Sequence, residues 1–314
     1  PEVVVKALAE PEVRAACRPL VIGDVRALTA TRLGVEVPPL YVVARVGEAT
    51  FGADSITLLD LGNVDVTGVP LGQISKEAGR AAVDYVLKAT TLALNGKVDA
   101  VATAPLNKEA MHLAGFDYIG HTEILADMTK TPRCTTMLAT PGLRVTHVTR
   151  HLPFRDIADQ LTIERVLDTI VITNDGMKML GFPQPRLAVA GLNPHNGDNG
   201  LMGREELDVI APAVEAAQAR GIDACGPIPA DSVFFQAIRG DYDVVVCQYH
   251  DQGHIAVKTN GFEKSITITL GLPIIRTSAD HGTAFDIAGQ GIAHADSMIA
   301  AILEAAAMAK RVKS

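Results

Sequence analysis

Residues 244–254 have the sequence VVVCQYHDQGH, and this stretch decides how we interpret the fold. Its first half is apolar and β-branched, which is typical of a buried strand. It then ends abruptly in polar residues that include His250 and Asp251. In open α/β sheets, ligands bind just beyond the carboxyl ends of the strands, so these two side chains are candidates for chemistry. The alternative is that they form an ordinary polar turn after a core strand.

The composition excludes several classes of protein. The chain has 314 residues, 48% hydrophobic and 20% charged, as expected for a globular protein of about two domains. The formal net charge is −8 and no run of Lys and Arg occurs, which argues against a nucleic-acid partner. No apolar run approaches the length that spans a membrane. The cysteines are scattered without CxxC spacing, which favours free thiols in a reducing compartment, and we expect a cytoplasmic protein.

Strand and helix patterns alternate along the chain. Helices are predicted at residues 2–17, 25–33, 75–94, 162–178, 205–219 and 295–311. Strands are predicted near residues 19–24, 40–45, 56–61, 98–105, 135–139, 143–148, 186–192, 244–247 and 265–270. This alternation predicts an α/β protein with a parallel sheet covered by helices.

Polar side chains follow several of these strands. Lys108 comes after the strand near residue 103, where it either takes part in chemistry or simply starts a solvated helix. Thr122 follows Gly120-His121 and is a candidate helix N-cap, a place where free N–H groups suit a phosphate or carboxylate. Positive charge and hydrogen-bond donors come from Lys108, His121, Thr122, Lys258 and Arg276. Such a set suits an anionic substrate, most simply a phosphorylated acid, although each residue could also be an ordinary surface group.

Three histidines, His151, His195 and His250, also follow strand ends. Their spacing matches no local metal-binding motif. If the three imidazoles meet at one edge of a sheet, they suit a borderline-soft divalent ion such as zinc, with open positions for substrate. The alternative for each of them is a hydrogen-bonded structural histidine.

Six ordered motifs carry a resemblance that extends over essentially the whole chain. They are APLNK at 104–108, GHTE at 120–123, GLNPH at 191–195, GPIPAD at 226–231, YHDQG at 249–253 and TSADHGTA at 277–284. In this order they resemble the 4-hydroxythreonine-4-phosphate dehydrogenase (PdxA) family of vitamin B6 biosynthesis. The opening Pro1-Glu2 resembles the end of that family's first Gly-rich loop, so we expect the family's first strand to be missing from this sequence.

The stretch DHGTAFDIAGQG at 280–291 also resembles the cofactor loop of isocitrate and isopropylmalate dehydrogenases, which have a related fold. The resemblance implies two α/β/α domains with a cleft between them. The first domain would comprise residues 1–118 and 288–314, and the second, residues 119–287, would carry most metal and substrate residues. NAD would be bound by Asn193, Asp280, His281, Gly282 and Thr283. No GxGxxG follows a strand, so the residues alone would have counted against a dinucleotide.

The family resemblance further implies a divalent metal (Zn, Mg or Co) held by His151, His195 and His250. His151 would come from the partner subunit, so the active site would require a homodimer. Substrate contacts are implied for His121, Thr122, Lys258, Thr267 and Arg276. The implied reaction is oxidation of a secondary alcohol by NAD, followed by decarboxylation of the resulting β-keto acid. Asp251 and Lys108 are the candidates for proton transfer.

One departure from the family bears on the substrate. Where the biosynthetic enzymes have Asn in the strand Asn-Ile-Thr-Leu-Gly-Leu-Pro, this chain has Thr267. A change at a polar substrate contact can shift discrimination strongly. The expected substrate is 4-phosphohydroxy-L-threonine, and the alternative is the branch that oxidises 4-phospho-D-threonate or 4-phospho-D-erythronate. A further relative acts on a dihydrodiol dicarboxylate.

Two other classes of function compete with a metal-dependent dehydrogenase. Acyl- and phosphotransferases of a distantly related fold would need neither three histidines nor the HGTA sequence. A non-catalytic protein that binds a small molecule could keep the pocket, but loss of one of the histidines would be expected there, and none is lost.

Overall fold

The structure is a computed structural model that describes residues 1–52 and 54–313. The α-helices are α1 Glu2–Ala9, α2 Pro11–Ala16, α3 Ala30–Leu33, α4 Lys76–Leu94, α5 Lys108–Leu113, α6 His121–Thr129, α7 Ile163–Met179, α8 Ala211–Gln218, α9 Ala230–Ile238, α10 His250–Gly261 and α11 Asp296–Lys313. The strands are β1 Leu20–Gly23, β2 Leu40–Val43, β3 Ile56–Asp60, β4 Val101–Thr103, β5 Thr135–Thr140, β6 Leu143–His147, β7 Leu187–Ala190, β8 Ala224–Ile228, β9 Val244–Cys247, β10 Ile266–Leu270 and β11 Arg276–Ala279.

The chain divides into two compact units. The first comprises Pro1–Pro132 and Leu272–Lys310, and the second comprises Arg133–Gly271 with the residues from Arg311 onward. The domain bounds expected from the sequence lay at 118/119 and 287/288, whereas these units change over at 132/133 and 271/272. Helix α6 and strand β11 consequently belong to the first unit.

The first unit contains a parallel three-stranded sheet in the order β1-β3-β2 and a parallel pair formed by β4 and β11. Its main core is aliphatic, with α1, α3, β3 and α11 contributing residues such as Val5, Leu33, Leu58 and Met298. Burial of such side chains is the main favourable term in folding. The core therefore joins residues from both ends of the sequence into one unit.

The second unit contains six strands in the order β10-β5-β6-β9-β7-β8. The pairs β6–β9, β9–β7 and β7–β8 are parallel, but β10–β5 and β5–β6 are antiparallel. The expected parallel sheet is therefore mixed in this unit. The reason is the short connection Pro141-Gly142 between β5 and β6, since only antiparallel strands can be joined so tightly.

Helices cover both faces of this six-stranded sheet. Val145 of β6 belongs to a buried cluster with Val233 of α9 and Val257 of α10. The next residue, Thr146, shares a hydrogen bond of 2.8 Å between hydroxyls with Thr173 of α7. Because successive side chains of a strand point to opposite faces, α7 lies on one face and α9 and α10 on the other.

Several predicted elements need correction. The helix expected at 2–17 is divided into α1 and α2, because Glu10 precedes a proline and has an extended backbone with ψ 128°. The helix expected at 205–219 begins with a π-helical turn at Glu206–Ile210 before α8. Strand β8 and helix α9 were not among the predicted elements. None of the helices in the described ranges combines the length and apolar character needed to cross a bilayer.

Of the predicted helix starts, one agrees with the structure and another needs correction. Ser75, at the start of the helix predicted for residues 75–94, caps α4 by accepting a hydrogen bond from the backbone N–H of Ala78. Asn107 caps α5 in the same way, which makes Lys108 the exposed first residue of a helix. Thr122 is not an N-cap, because α6 begins one residue earlier at His121 and Gly120 occupies the cap position without a side chain.

Candidate functional site

The buried strand β9 leads directly into α10, and His250 is the first residue of that helix. His250 therefore begins a helix and does not form the polar turn that was the alternative for this stretch. Two glutamines stabilise this junction: Gln252 Oε1 accepts from the backbone N–H of Gln248 at 2.7 Å, and both side-chain amides donate to carbonyls at the end of β7. These carbonyls belong to Ala190 and Gly191. The exits of β7 and β9 are thus connected by buried hydrogen bonds, which engage the nitrogens of both amides.

His250 is oriented by the carboxylate beside it. Its Nδ1 lies 2.6 Å from Oδ1 of Asp251. Since a carboxylate accepts, Nδ1 carries the hydrogen and the lone pair of Nε2 is left for a ligand. Asp251, predicted as a proton-transfer residue, has in this structure a contact typical of a residue that orients a metal-binding histidine.

Two further imidazoles, those of His254 and His147, lie close to His250. The ring of His254 is parallel to that of His250, with centroids 3.6 Å apart and planes 12° apart. His254 Nδ1 lies 3.0 Å from the carbonyl oxygen of His250 and 3.2 Å from Nε2 of His147. Burial lowers the pKa of His147 well below its usual value and keeps that ring neutral. A Cβ on Gly253 would lie 2.5 Å from His147 Nε2, so this arrangement requires glycine there.

His151 is brought close to His250. Their ring centroids are 5.7 Å apart. Both line a cavity of about 280 Å³ in the second unit, together with Asp251 and Arg150. Phe154 and Tyr249 also line it and meet edge to face, with centroids 5.6 Å apart; the remaining lining residues are Thr149, Leu152 and Ile157. The cavity combines apolar walls with imidazole, guanidinium and carboxylate groups, as small-molecule sites commonly do.

His195 lies on the loop that follows β7. It has a left-handed backbone with φ 53°, and so do Asn196 at 56° and Asn199 at 55°. Such conformations are costly outside glycine and often occur at functional sites. Asn193, predicted to contact cofactor, donates its side-chain amide to Glu205 at 2.6 Å and to Glu206 at 3.0 Å.

The predicted metal ligands agree with a divalent ion in their chemistry. Three imidazoles are a common ligand set for zinc, and the Asp251 contact gives His250 the tautomer that a metal requires. Within the described ranges of one chain, no three His, Cys, Asp or Glu side chains form a group that could hold a metal. The resemblance assigns His151 to the partner subunit, so a complete set within one chain is not what it predicts.

The predicted anion-binding residues of the first unit are strongly desolvated. Burial lowers the pKa of His121 to about 3, with the positive charge of Arg276 as a second cause, so this imidazole is neutral. Burial lowers the pKa of Arg276 to about 10, and the carboxylate of Glu123 opposes that shift. Arg276 Nη2 donates to Thr103 Oγ1 at 2.7 Å. His121 and Arg276 therefore lie near each other, and the predicted Thr122 is the second residue of α6.

Two further predicted substrate contacts, Lys258 and Thr267, lie on α10 and β10. Lys258 is on α10, four residues after His254, with its Nζ 5.3 Å from the ring centroid of Phe262. Residues four apart share a helix face, so His250, His254 and Lys258 form one row. Thr267 is half-buried on β10, opposite Leu138 of β5.

The predicted cofactor loop, Asp280–Thr283, follows β11. The backbone N–H of Asp280 donates to Ser297 at 2.9 Å, and His281 Nδ1 lies 3.0 Å from the carbonyl of Gly282. The buried Nε2 of His281 has no hydrogen-bond partner among the residues that the structure describes. A buried polar atom without a partner is costly, so this loop is suited to a polar ligand such as a nucleotide.

Sequence reasoning missed several residues of this site. His147, Gln248 and Glu206 are buried polar side chains that act through their neighbours. His254 was part of the opening stretch, and its spacing of four from His250 was a usable signal, because the two lie on one helix face. No comparable local signal marked Glu206 or His147, since their partners are distant in sequence.

Comparisons with known proteins show what this chain is similar to. A family model described as pyridoxal phosphate biosynthetic protein PdxA matches residues 15–305. The curated D-threonate 4-phosphate dehydrogenase of Cupriavidus necator is 49% identical over 313 residues, which is 99% of this chain and 94% of that protein. The crystal structure of a 4-hydroxythreonine-4-phosphate dehydrogenase from Klebsiella pneumoniae has a TM-score of 0.90 at 44% identity, covering 98% of this chain and 95% of that one. A terephthalate 1,2-cis-dihydrodiol dehydrogenase from Burkholderia xenovorans has a TM-score of 0.64 at 28% identity, covering 93% and 88%.

Proposed function

Since this chain belongs to the PdxA family, we propose that it is an NAD-dependent, divalent-metal-dependent dehydrogenase that oxidises and decarboxylates D-threonate 4-phosphate. The observation that carries this choice of substrate is the 49% identity to the Cupriavidus necator enzyme over 99% of the chain. The presence of Thr267, where the biosynthetic enzymes have Asn, agrees with this choice of substrate. The sequence expectation put 4-phosphohydroxy-L-threonine first, and the relatives support its alternative at least as well.

The proposed reaction has two steps. In the first, the C3–H bond of the substrate breaks, the hydride passes to NAD, and the proton of the C3 hydroxyl passes to a base. The product is a β-keto acid. In the second step the C1–C2 bond breaks, carbon dioxide leaves, and the electron pair remains on the enediolate until a proton is taken up at C2. A divalent metal, when bound, supplies Lewis-acid stabilisation of the negative charge that develops on the substrate oxygens.

Several of the predicted residues have a role that their environment supports. His250, oriented by Asp251, would hold the metal together with His195 and with His151 from a second copy of the chain. Arg276 offers a planar guanidinium in a desolvated setting, where its hydrogen bonds to a phosphate or carboxylate are strong.

The other anion-binding groups act differently. His121 is neutral, so it would bind as an N–H donor rather than as a cation. Lys258 would contribute a point charge, and Thr122 a hydroxyl. Lys108 is exposed at the start of α5, which supports the solvated-helix alternative more than a proton-transfer role.

The second candidate substrate is 4-phosphohydroxy-L-threonine. It is favoured by the name of the Klebsiella pneumoniae enzyme, whose structure has a TM-score of 0.90 with this chain. The two substrates differ at C2, where one carries a hydroxyl and the other an amine. Oxidation at C3 and loss of the carboxylate are common to both, so the same residues would serve either.

The test follows NADH absorbance with purified protein, NAD and added zinc, magnesium or cobalt, and offers the two substrates separately. We expect turnover of D-threonate 4-phosphate, and loss of activity in His250→Ala. The matched control is His294→Ala, because His294 is a highly exposed histidine that lies 4.0 Å from the carboxylate of Asp296. Turnover of 4-phosphohydroxy-L-threonine alone would favour the second candidate. Absence of both metal binding and NAD binding in the wild-type chain would refute the proposed function.

A further inference from the structure

Glu206 is a buried carboxylate at the start of the π-helical turn Glu206–Ile210, and its side chain makes three short contacts. The residue is 2% exposed. Its Oε1 accepts from the backbone N–H groups of Leu192 and Asn193 at 2.7 and 2.6 Å. Its Oε2 accepts from the side-chain amide of Asn193 at 3.0 Å. All three donors lie at the start of the loop that carries His195.

That loop needs an external support. His195, Asn196, Asp198 and Asn199 all have positive φ angles between 45° and 56°. Non-glycine residues persist in this region only where the surroundings over-determine their conformation. The hydrogen bonds from Leu192 and Asn193 to Glu206 immediately precede the strained segment. A further one, from Asn196 to the carbonyl of Pro227 at 2.8 Å, lies within it.

Close packing around Glu206 restricts where its carboxylate can lie. A Cβ on Gly203 would lie 2.4 Å from the Asn193 side-chain nitrogen, and a Cβ on Gly197 would lie 2.9 Å from Glu206 Oε2. The carboxylate is therefore enclosed by the loop on one side and by its own helical turn on the other. Both of its oxygens are already engaged, so it is poorly placed to exchange protons with a substrate.

We propose that Glu206 is a positioning residue, which holds the loop so that His195 presents its imidazole to the metal and Asn193 keeps its place. The inference rests on the proposed function in so far as His195 is a metal ligand. Charged acceptors suit this task, since hydrogen bonds from N–H groups to an ionised carboxylate are stronger than those to a neutral group. A purely stabilising role would lower the melting temperature but leave the metal affinity of the folded protein unchanged.

The test replaces Glu206 with Gln, which keeps the volume but presents an N–H group where an acceptor is needed. The matched control is Asp208→Asn, on the same turn, whose exposed carboxylate pairs with Arg204 at 2.8 Å. Zinc affinity is measured without substrate or NAD by competition with a chelating dye. We expect zinc binding to weaken about 10- to 100-fold in Glu206→Gln, as for other residues that orient metal ligands, and to stay within twofold of wild type in the control.

A double-mutant cycle shows whether Glu206 acts through His195. In a His195→Ala background, Glu206→Gln should cause no further loss of zinc affinity, because the ligand it orients is already gone. Fully additive losses would overturn the proposal. Equal zinc affinity in wild type and a folded Glu206→Gln variant would also overturn it.

Hydrogen exchange separates failure of this inference from failure of the proposed function. We expect amide exchange of residues 191–200 to rise in Glu206→Gln and to remain unchanged in Asp208→Asn. If the wild-type chain binds no zinc, the proposed function fails, and a rise in exchange confined to this loop still supports the positioning role. Unchanged exchange in Glu206→Gln overturns that role whatever the metal result.

Discussion

The imidazole of His254 lies parallel to that of His250, with ring centroids 3.6 Å apart and an angle of 12° between the planes. The hydrogen bond of its Nδ1 to the carbonyl of His250, together with the contact to His147, fixes the rotation of the His254 ring. His250 is thereby held between Asp251, which contacts its Nδ1, and a flat neighbour that restricts its side-chain torsions.

We therefore expect His254→Ala to lower kcat about tenfold or more, in the range typical of residues that support metal ligands. His254→Phe keeps a flat ring but loses the hydrogen bonds, so its loss should be smaller. Steady-state kinetics at saturating metal checks this, with the exposed Ile255→Ala on the same helix as control. Equal kcat in wild type and His254→Ala would show that the stack has no part in catalysis.

The free energy of unfolding should decrease as the pH is lowered, because His121 is buried in the folded protein. Its pKa is lowered from 6.5 to about 3 by burial, whereas in the unfolded chain it titrates near 6.5. Between these values the unfolded state binds more protons than the folded state, so the free energy of unfolding decreases as pH falls below 6.5. The expected slope from this group is at most about 1.4 kcal/mol per pH unit.

The measurement is urea unfolding of wild type and His121→Gln at pH 7.5, 6.0 and 5.0. The difference between the two proteins isolates His121 from other buried histidines such as His147, whose pKa is lowered in the same direction. The wild type should lose more stability than the variant on acidification. Parallel pH dependence of the two would mean that His121 is solvated.

Thr103 should support substrate binding through Arg276. Its hydroxyl accepts a hydrogen bond of 2.7 Å from the buried guanidinium, and a missing acceptor for a buried donor costs about 1–3 kcal/mol. We expect Thr103→Val to raise the KM of the phosphorylated acid about tenfold, the factor that corresponds to roughly 1.4 kcal/mol, while the KM of NAD stays the same.

The control for Thr103→Val is Thr90→Val. Thr90 is buried as Thr103 is, but its hydroxyl donates to the carbonyl of Val86 within α4. Both variants should lower the melting temperature, and only Thr103→Val should change KM. A rise in KM with both variants would assign the effect to general destabilisation.

Thr267 should influence which substrate is preferred. Asn offers an amide with both donor and acceptor where Thr offers one hydroxyl, and polar contacts of this kind discriminate strongly between close analogues. We expect Thr267→Asn to shift the ratio of kcat/KM values toward 4-phosphohydroxy-L-threonine by about tenfold. The ratio is measured with both substrates under identical metal and NAD. The half-buried Thr136 on β5, replaced by Asn, shows whether any new amide nearby has the same effect.

Local patterns in the sequence were sufficient for the class of fold and for the family. Apolar strands alternating with amphipathic helices predicted an α/β protein, and Ser75 marked the start of α4 because an N-cap acts within three residues. The six motifs identified the PdxA family and an oxidoreductase, and the family model and the named relatives confirm both.

The tertiary structure decided the contacts between side chains that lie far apart in the sequence. Glu206 receives hydrogen bonds from residues 13 and 14 positions away, and His147 meets His254 across 107 positions. The antiparallel hairpin β5–β6 made the expected parallel sheet mixed, and α6 began at His121 rather than after Thr122. Sequence periodicity reports which face of an element is buried, but it carries no information about which polar side chains meet once that face is packed. The orientation of His250 and the support of His195 therefore became visible only in the folded chain.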